Sequence, residues 1–177
     1  NQFINFARTN TEKIKQMRLA VEEAQEKVAR NGNQARRNRE NLAALTFASR
    51  RLDHLGRRYE VMLMFSDQYW DAYLNLGDRA KARKLRRYTG AIYNNLREMA
   101  EELSILKEGY RNQWLAENRP YWLESILARY DQMISIWLTK SRQMDEALRK
   151  YEATSTLPSP EEFGLGTRPV ALPAPRP

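Results

Sequence analysis

Residues 85–110 read LRRYTGAIYNNLREMAEELSILKEGY. Leu85, Tyr88, Ile92, Leu96, Met99, Leu103, Leu106 and Tyr110 recur through this stretch at steps of three and four. That spacing gathers apolar side chains on one face of an α-helix. Sustained over about seven turns, it predicts one long helix with a coiled-coil-like seam. Such a seam must be buried against other helices, and the flanking sequence supplies them.

Upstream, Leu42, Leu45, Leu52, Leu55, Tyr59, Met62, Tyr69 and Tyr73 mark the apolar face of a helix expected over 35–76, with Gly56 or Ser66-Asp67 as points of kinking. Gly77-Asp78 ends it and caps the next, glycine just past the end and aspartate as N-cap. A shorter first helix is expected from Thr11, where Thr9 and Glu12 have capping-box spacing. It carries Ile14, Met17, Val21, Ala24 and Val28 to a stop at Asn31-Gly32-Asn33. Downstream, Asn118-Arg119-Pro120 predicts a further helix start, with Asn118 as N-cap and Pro120 in the favoured first turn. Leu123, Ile126, Leu127, Tyr130, Met133, Ile134, Trp137, Met144, Leu148 and Tyr151 then continue the helical period. No stretch alternates with the two-residue period of a strand.

Six of the seven prolines lie between Pro158 and Pro177, so the tail reads as extended, pinned by Phe163 and Leu165. The expected fold is all-α: an elongated antiparallel bundle of three long helices plus a shorter N-terminal helix, over 1–153, followed by a Pro-rich extended tail over 154–177. At 1.5 Å per residue each long helix would span roughly 50–60 Å.

Composition excludes more than it identifies. The 177 residues contain no Cys and one His, which removes disulfides, thiol nucleophiles and cysteine-based zinc sites. No apolar run approaches the roughly 18 residues that read as a membrane span. Asn at residue 1 suggests a fragment or processed product, and no signal-peptide pattern is present. Nucleotide-loop, HExxH and GxSxG signatures are missing as well. His54 sits among Arg50, Arg51, Arg57 and Arg58, a setting that repels a bound cation, so it reads as structural or surface histidine and no metal or cofactor is expected. The acidic pairs Glu22-Glu23, Glu101-Glu102, Asp145-Glu146 and Glu161-Glu162 diverge on helix faces and read as solvated, since carboxylate catalysis needs convergence.

The formal net charge of +8 raises a polyanion reading. Arg79, Lys81, Arg83, Lys84, Arg86 and Arg87 fill one short segment that, beside Tyr88, could track phosphates and stack a base. Against it, they open a helix, where the macrodipole disfavours cations, and Glu98, Glu101 and Glu102 are available as partners. Aromatic residues form two clusters, Tyr69-Trp70-Tyr73 and Tyr110-Trp114-Tyr121-Trp122; packing at the bundle ends is the first reading, sugar or partner contact the second.

The block Tyr110-Arg111-Asn112-Gln113-Trp114-Leu115-Ala116-Glu117-Asn118-Arg119-Pro120-Tyr121-Trp122-Leu123, with Ile126-Leu127-Ala128-Arg129-Tyr130-Asp131 after it, resembles the helical region that follows the catalytic barrel in bacterial family 20 glycoside hydrolases, the β-N-acetylhexosaminidase group. Arg37-Asn38-Arg39-Glu40-Asn41-Leu42 and Arg51 to Tyr59 are similar to the preceding helix of that region. Together these cover about 36–138. The resemblance implies a non-catalytic domain, because that family keeps its chemistry, including an adjacent Asp-Glu pair, on a (β/α)8 barrel. This chain is too short for such a barrel, and Asp145-Glu146 lies on an amphipathic helix. The resemblance also implies an upstream catalytic domain or a second subunit as partner, and an exported or periplasmic bacterial protein. On it, Trp114, Glu117, Asn118, Arg119, Tyr121 and Trp122 are the expected contacts to a partner or to the rim of a sugar cleft. Without a ligand, the same block is explained by the Asn118 cap, the Pro120 start and Trp122 as a core anchor.

Overall fold

Polar side chains that bond to their own backbone decide where these helices break. The computed structural model describes residues 2–32, 37, 39–89 and 94–166. Among them the chain forms six α-helices and no strand: α1 (Gln2–Thr9), α2 (Thr11–Gly32), α3 (Arg39–Leu74), α4 (Arg79–Thr89), α5 (Asn95–Glu117) and α6 (Leu123–Thr154). The all-α expectation stands. The bundle of three long helices plus one short helix does not.

The largest correction falls on the seam that opened the sequence reading. Residues 85–110 are two helices, α4 and α5, with Ile92 outside the described residues. The Thr89 hydroxyl donates to the Leu85 carbonyl at 2.9 Å. Asn94 caps α5, its side-chain oxygen accepting the Arg97 backbone N–H at 3.0 Å, while its amide donates to the Ser141 hydroxyl at 2.8 Å. The Asn95 amide donates back to the Tyr88 carbonyl at 3.0 Å. These bonds end one helix and start another while Leu85, Leu96, Met99 and Leu103 stay in one core. Apolar spacing reports which side chains are buried, not whether the backbone between them is continuous.

A second correction lies at the N-terminus, where α1 precedes the expected first helix. Thr9 does not cap α2 in a box with Glu12; the Thr9 and Thr11 hydroxyls donate back to the Asn5 and Ala7 carbonyls, each at 3.0 Å. Backbone bonding runs through the junction, from Asn10 N–H to Phe6 at 3.0 Å. Gly56 sits inside α3. A Cβ there would stand 2.5 Å from Arg18 Cγ and 2.9 Å from Met17 Cε. Its small size therefore serves the approach of α2. Arg18, fitted over Gly56, bonds Asp53 at 2.9 Å and Glu60 at 2.5 Å.

Neighbouring long helices are antiparallel. Across α5 and α6, Asn94 meets Ser141 and Lys107 meets Asp131. Across α3 and α5, Phe47 packs on Gly109 and Arg57 reaches Glu98. At 1.5 Å per residue, α3 with 36 residues spans about 54 Å, α6 with 32 about 48 Å, and α5 with 23 about 35 Å. Residues 155–166 add Leu157, Phe163 and Leu165 to the same core as Phe65, Tyr69 and Met144. Tyr69 Oη donates to the Pro158 carbonyl at 2.8 Å, and Lys140 Nζ donates to the Phe163 carbonyl at 2.9 Å. Burial pushes the Tyr69 hydroxyl above its ordinary pKa and the Lys140 ammonium below its own.

Candidate functional site

The family-like block forms the turn between α5 and α6. Asn118 is the C-cap of α5 in extended conformation, its N–H bonding the Trp114 carbonyl at 2.8 Å. The expected Asn118 N-cap is thus corrected: α6 starts at Leu123, and Pro120 lies in the turn, its carbonyl accepting from Leu123 N–H at 3.3 Å. Trp114 closes the turn from below, its Nε1 donating to the Arg119 carbonyl at 2.9 Å. Its ring stacks on Tyr110 at 5.9 Å, and Tyr110 in turn meets Tyr130 at 6.0 Å.

Trp122 occupies the N-cap of α6 with φ +62°, and its side chain makes no cap bond. A non-glycine residue in that left-handed region costs about 1–2 kcal/mol. The Trp122 carbonyl is well used, accepting from Ile126 N–H at 3.3 Å and Ser125 Oγ at 2.8 Å. Its side chain is 80% exposed and that of Tyr121 70%. The reading of Trp122 as a core anchor is therefore wrong: Leu123, one residue on, is the buried anchor. Glu117, Asn118 and Arg119 are exposed too, and neither Glu117 nor Arg119 has an ion-pair partner among the described residues. Of the six expected contact residues, Trp114 is half-buried and holds the turn, and the other five face outward.

The basic segment is divided by its surroundings. Lys81 pairs with Asp71 at 2.9 Å and Arg86 pairs with Glu152. Arg79, Arg83, Lys84 and Arg87 have no carboxylate partner among the described residues. Arg79, Arg83 and Arg86 line an open cleft of about 570 Å³ between α4 and the end of α6, beside Tyr151 and Glu152. The expected partners from α5 go elsewhere. Glu98 and Glu102 bond Arg57, because α5 lies along α3. Glu102 is consequently not a solvated-face carboxylate.

His54 completes that network as a structural residue. It is 7% exposed, with Nδ1 3.0 Å from Glu102. Burial first, then the charges of Arg58 and Arg57, push its pKa down to about 4, against a smaller opposing pull from Asp53. Neutral His54 therefore donates from Nδ1 to the Glu102 carboxylate, and Nε2 is left buried without a partner among the described residues. No group of His, Asp or Glu among the described residues converges to hold a metal. No described helix is long and apolar enough to cross a membrane.

Part of the α3 face expected in the core is open. Leu45, Leu52 and Leu55 are 56%, 46% and 39% exposed. Leu52 and Leu55 border a groove walled by α3, α5 and α6, with Arg51, Arg58 and Arg129 around it. The sequence reading missed this groove, having given those leucines a partner helix that the bundle does not supply.

Compared with protein-family models, curated proteins and solved structures, the chain matches none.

Proposed function

We propose that this chain is a non-catalytic helical domain of a β-N-acetylhexosaminidase-like glycoside hydrolase, and that it presses the α5–α6 turn against the catalytic barrel. One observation carries the reading: Trp122 and Tyr121, 80% and 70% exposed, are held outward by a backbone-bonded turn. Large aromatic side chains dominate the energetics of interfaces. A turn already fixed by Trp114 and the Asn118 cap gives up little freedom on docking. The residues that make this turn are those that resemble the family 20 block. In such a position the Trp122 face is also suited to line the rim of a sugar cleft, with Glu117 and Arg119 beside it.

The test is the intact mass of the native protein in its source cells, detected with an antibody to this chain. The reading expects a species heavier than 20.9 kDa by tens of kilodaltons, carrying hexosaminidase activity. A species of about 20.9 kDa, or a heavier one whose remaining sequence is unrelated to such a hydrolase, refutes it.

A second reading, polyanion binding by α4, draws on Arg79, Arg83, Lys84 and Arg87, the cations of that segment left without carboxylates. It predicts heparin or single-stranded nucleic-acid binding that weakens steeply with salt. Glu152 inside the cleft opposes it.

A further inference from the structure

α5 stands between α3 and α6, whose Cα atoms nowhere come within 8 Å of each other. The trough left over α5 is the groove of about 780 Å³ described above. Leu52 and Leu55 of α3, Leu106 and Tyr110 of α5, and Tyr130 and Met133 of α6 form its apolar surface. No carboxylate among the described residues lines it. Arg51 and Arg58 rest on the rings of Phe47 and Phe3. With Arg129 they are three cations that have no carboxylate partner among the described residues. Arg57, on the same helix, is neutralised by two glutamates, and Arg50, without a carboxylate partner among the described residues, lies outside the lining of the groove. His54 Nε2, buried and without a partner among the described residues, belongs to a side chain that also lines it.

We propose that this groove docks an amphipathic α-helix of a partner protein, with its apolar ridge in the trough and carboxylates along its flanks against Arg51, Arg58 and Arg129. Charge complementarity selects the acidic partner, since an apolar trough whose described rim carries cations and no carboxylate repels a basic helix and attracts an acidic one. The dimensions suit a helix. From Ala48 to Arg58 the α3 wall runs about 15 Å, or nearly three turns, the length over which i, i+3 or i+4, and i+7 anchors engage a groove. A helix satisfies its own backbone, whereas an extended segment would bring N–H and C=O groups into a trough with no strand edge to pair them. Seated there, it adds a fourth helix around α3, α5 and α6. The groove is separate from the α5–α6 turn, and this inference does not depend on what the turn contacts.

The probe is a synthetic peptide of roughly 14 residues, about four turns, stapled on its outer face. It carries leucines at i, i+3, i+7 and i+10, flanking glutamates and a fluorescent label, and its counterpart carries lysines in place of the glutamates. Fluorescence anisotropy against the full chain at low salt is expected to show the acidic peptide binding at least about tenfold more tightly than the basic one. Added salt should narrow the difference. Amide-exchange protection should map to 48–58 and 126–133. Arg51 and Arg129 are exposed, so the double variant Arg51→Glu, Arg129→Glu should keep its circular dichroism and melting temperature while inverting the preference. Equal affinity for both peptides, no binding, or indifference to the charge reversal would overturn the proposal. So would tighter binding of a single-stranded oligonucleotide, or sedimentation showing the groove already filled by a second copy of this chain.

Discussion

At the end where α4 packs against both α3 and α6, Tyr69 is fully buried between Phe65 and Phe163, and its hydroxyl reaches the Pro158 carbonyl. At the opposite end, Trp122 and Tyr121 stand in solvent on the α5–α6 turn. The two ends draw on the same kinds of residue. What separates them is residues 155–166: this segment folds back with Leu157, Phe163 and Leu165 and covers the first end, and no described segment covers the second. Aromatic residues near a helix end thus become core or exposed surface according to whether the same chain returns over them.

The largest expected effect tests the closed end. Tyr69→Ala removes two ring contacts and a hydrogen bond from a fully buried site, and should cost about 3–5 kcal/mol in denaturant unfolding. A loss under about 1 kcal/mol would mean that the 155–166 segment does not close this end.

Between the ends, His54 makes the α3–α5 contact sensitive to acid. Its pKa is about 4 in the fold against 6.5 for the free side chain. Between those values only the unfolded chain binds the proton. The stabilisation is therefore complete above pH 6.5 and is lost as pH falls through about 4, by at most about 3 kcal/mol. Unfolding free energy measured from pH 7 to pH 4 should show this slope, and His54→Gln should flatten it. An unchanged slope in the variant would assign the acid sensitivity to the carboxylates.

The open end predicts smaller changes. Trp122→Gly relieves a left-handed backbone at an exposed side chain and should raise stability by about 1 kcal/mol. Trp122→Ala should change it by less than about 0.5 kcal/mol. If Trp122→Ala instead costs as much as Tyr69→Ala, the two ends are packed alike and the comparison fails.

Much of the helical content was readable because burial imposes a period. Tyr69, Leu103, Leu127 and Met144 of the expected faces are core, whereas the buried face of α3 also runs through Val61 and Phe65, which the expected face of that helix left out; Phe163 and Leu165 pin the start of the tail to that core. The breaks were harder, because they depend on local competition. Thr9 had the right spacing for a cap and bonds backward instead. Asn94 ends an apparent seven-turn seam through three side-chain bonds made by it and its neighbour. At the site, the sequence located the turn but misassigned its parts, since which of Trp122 and Leu123 points inward depends on where α6 begins. Leu52 and Leu55 carry no mark in sequence to distinguish an occupied seam from an open one.

We propose that the exposed turn is a contact end. It is tested most directly by side-chain oxidation of the four tryptophans, resolved by peptide mass spectrometry, in the isolated chain and in the native protein from its source. In the isolated chain Trp122 should oxidise fastest, and Trp137, 5% exposed, slowest. In the native protein Trp122 should be protected several-fold while Trp70 is unchanged. Trp122 oxidised equally fast in both would contradict the account, because nothing would then cover the turn.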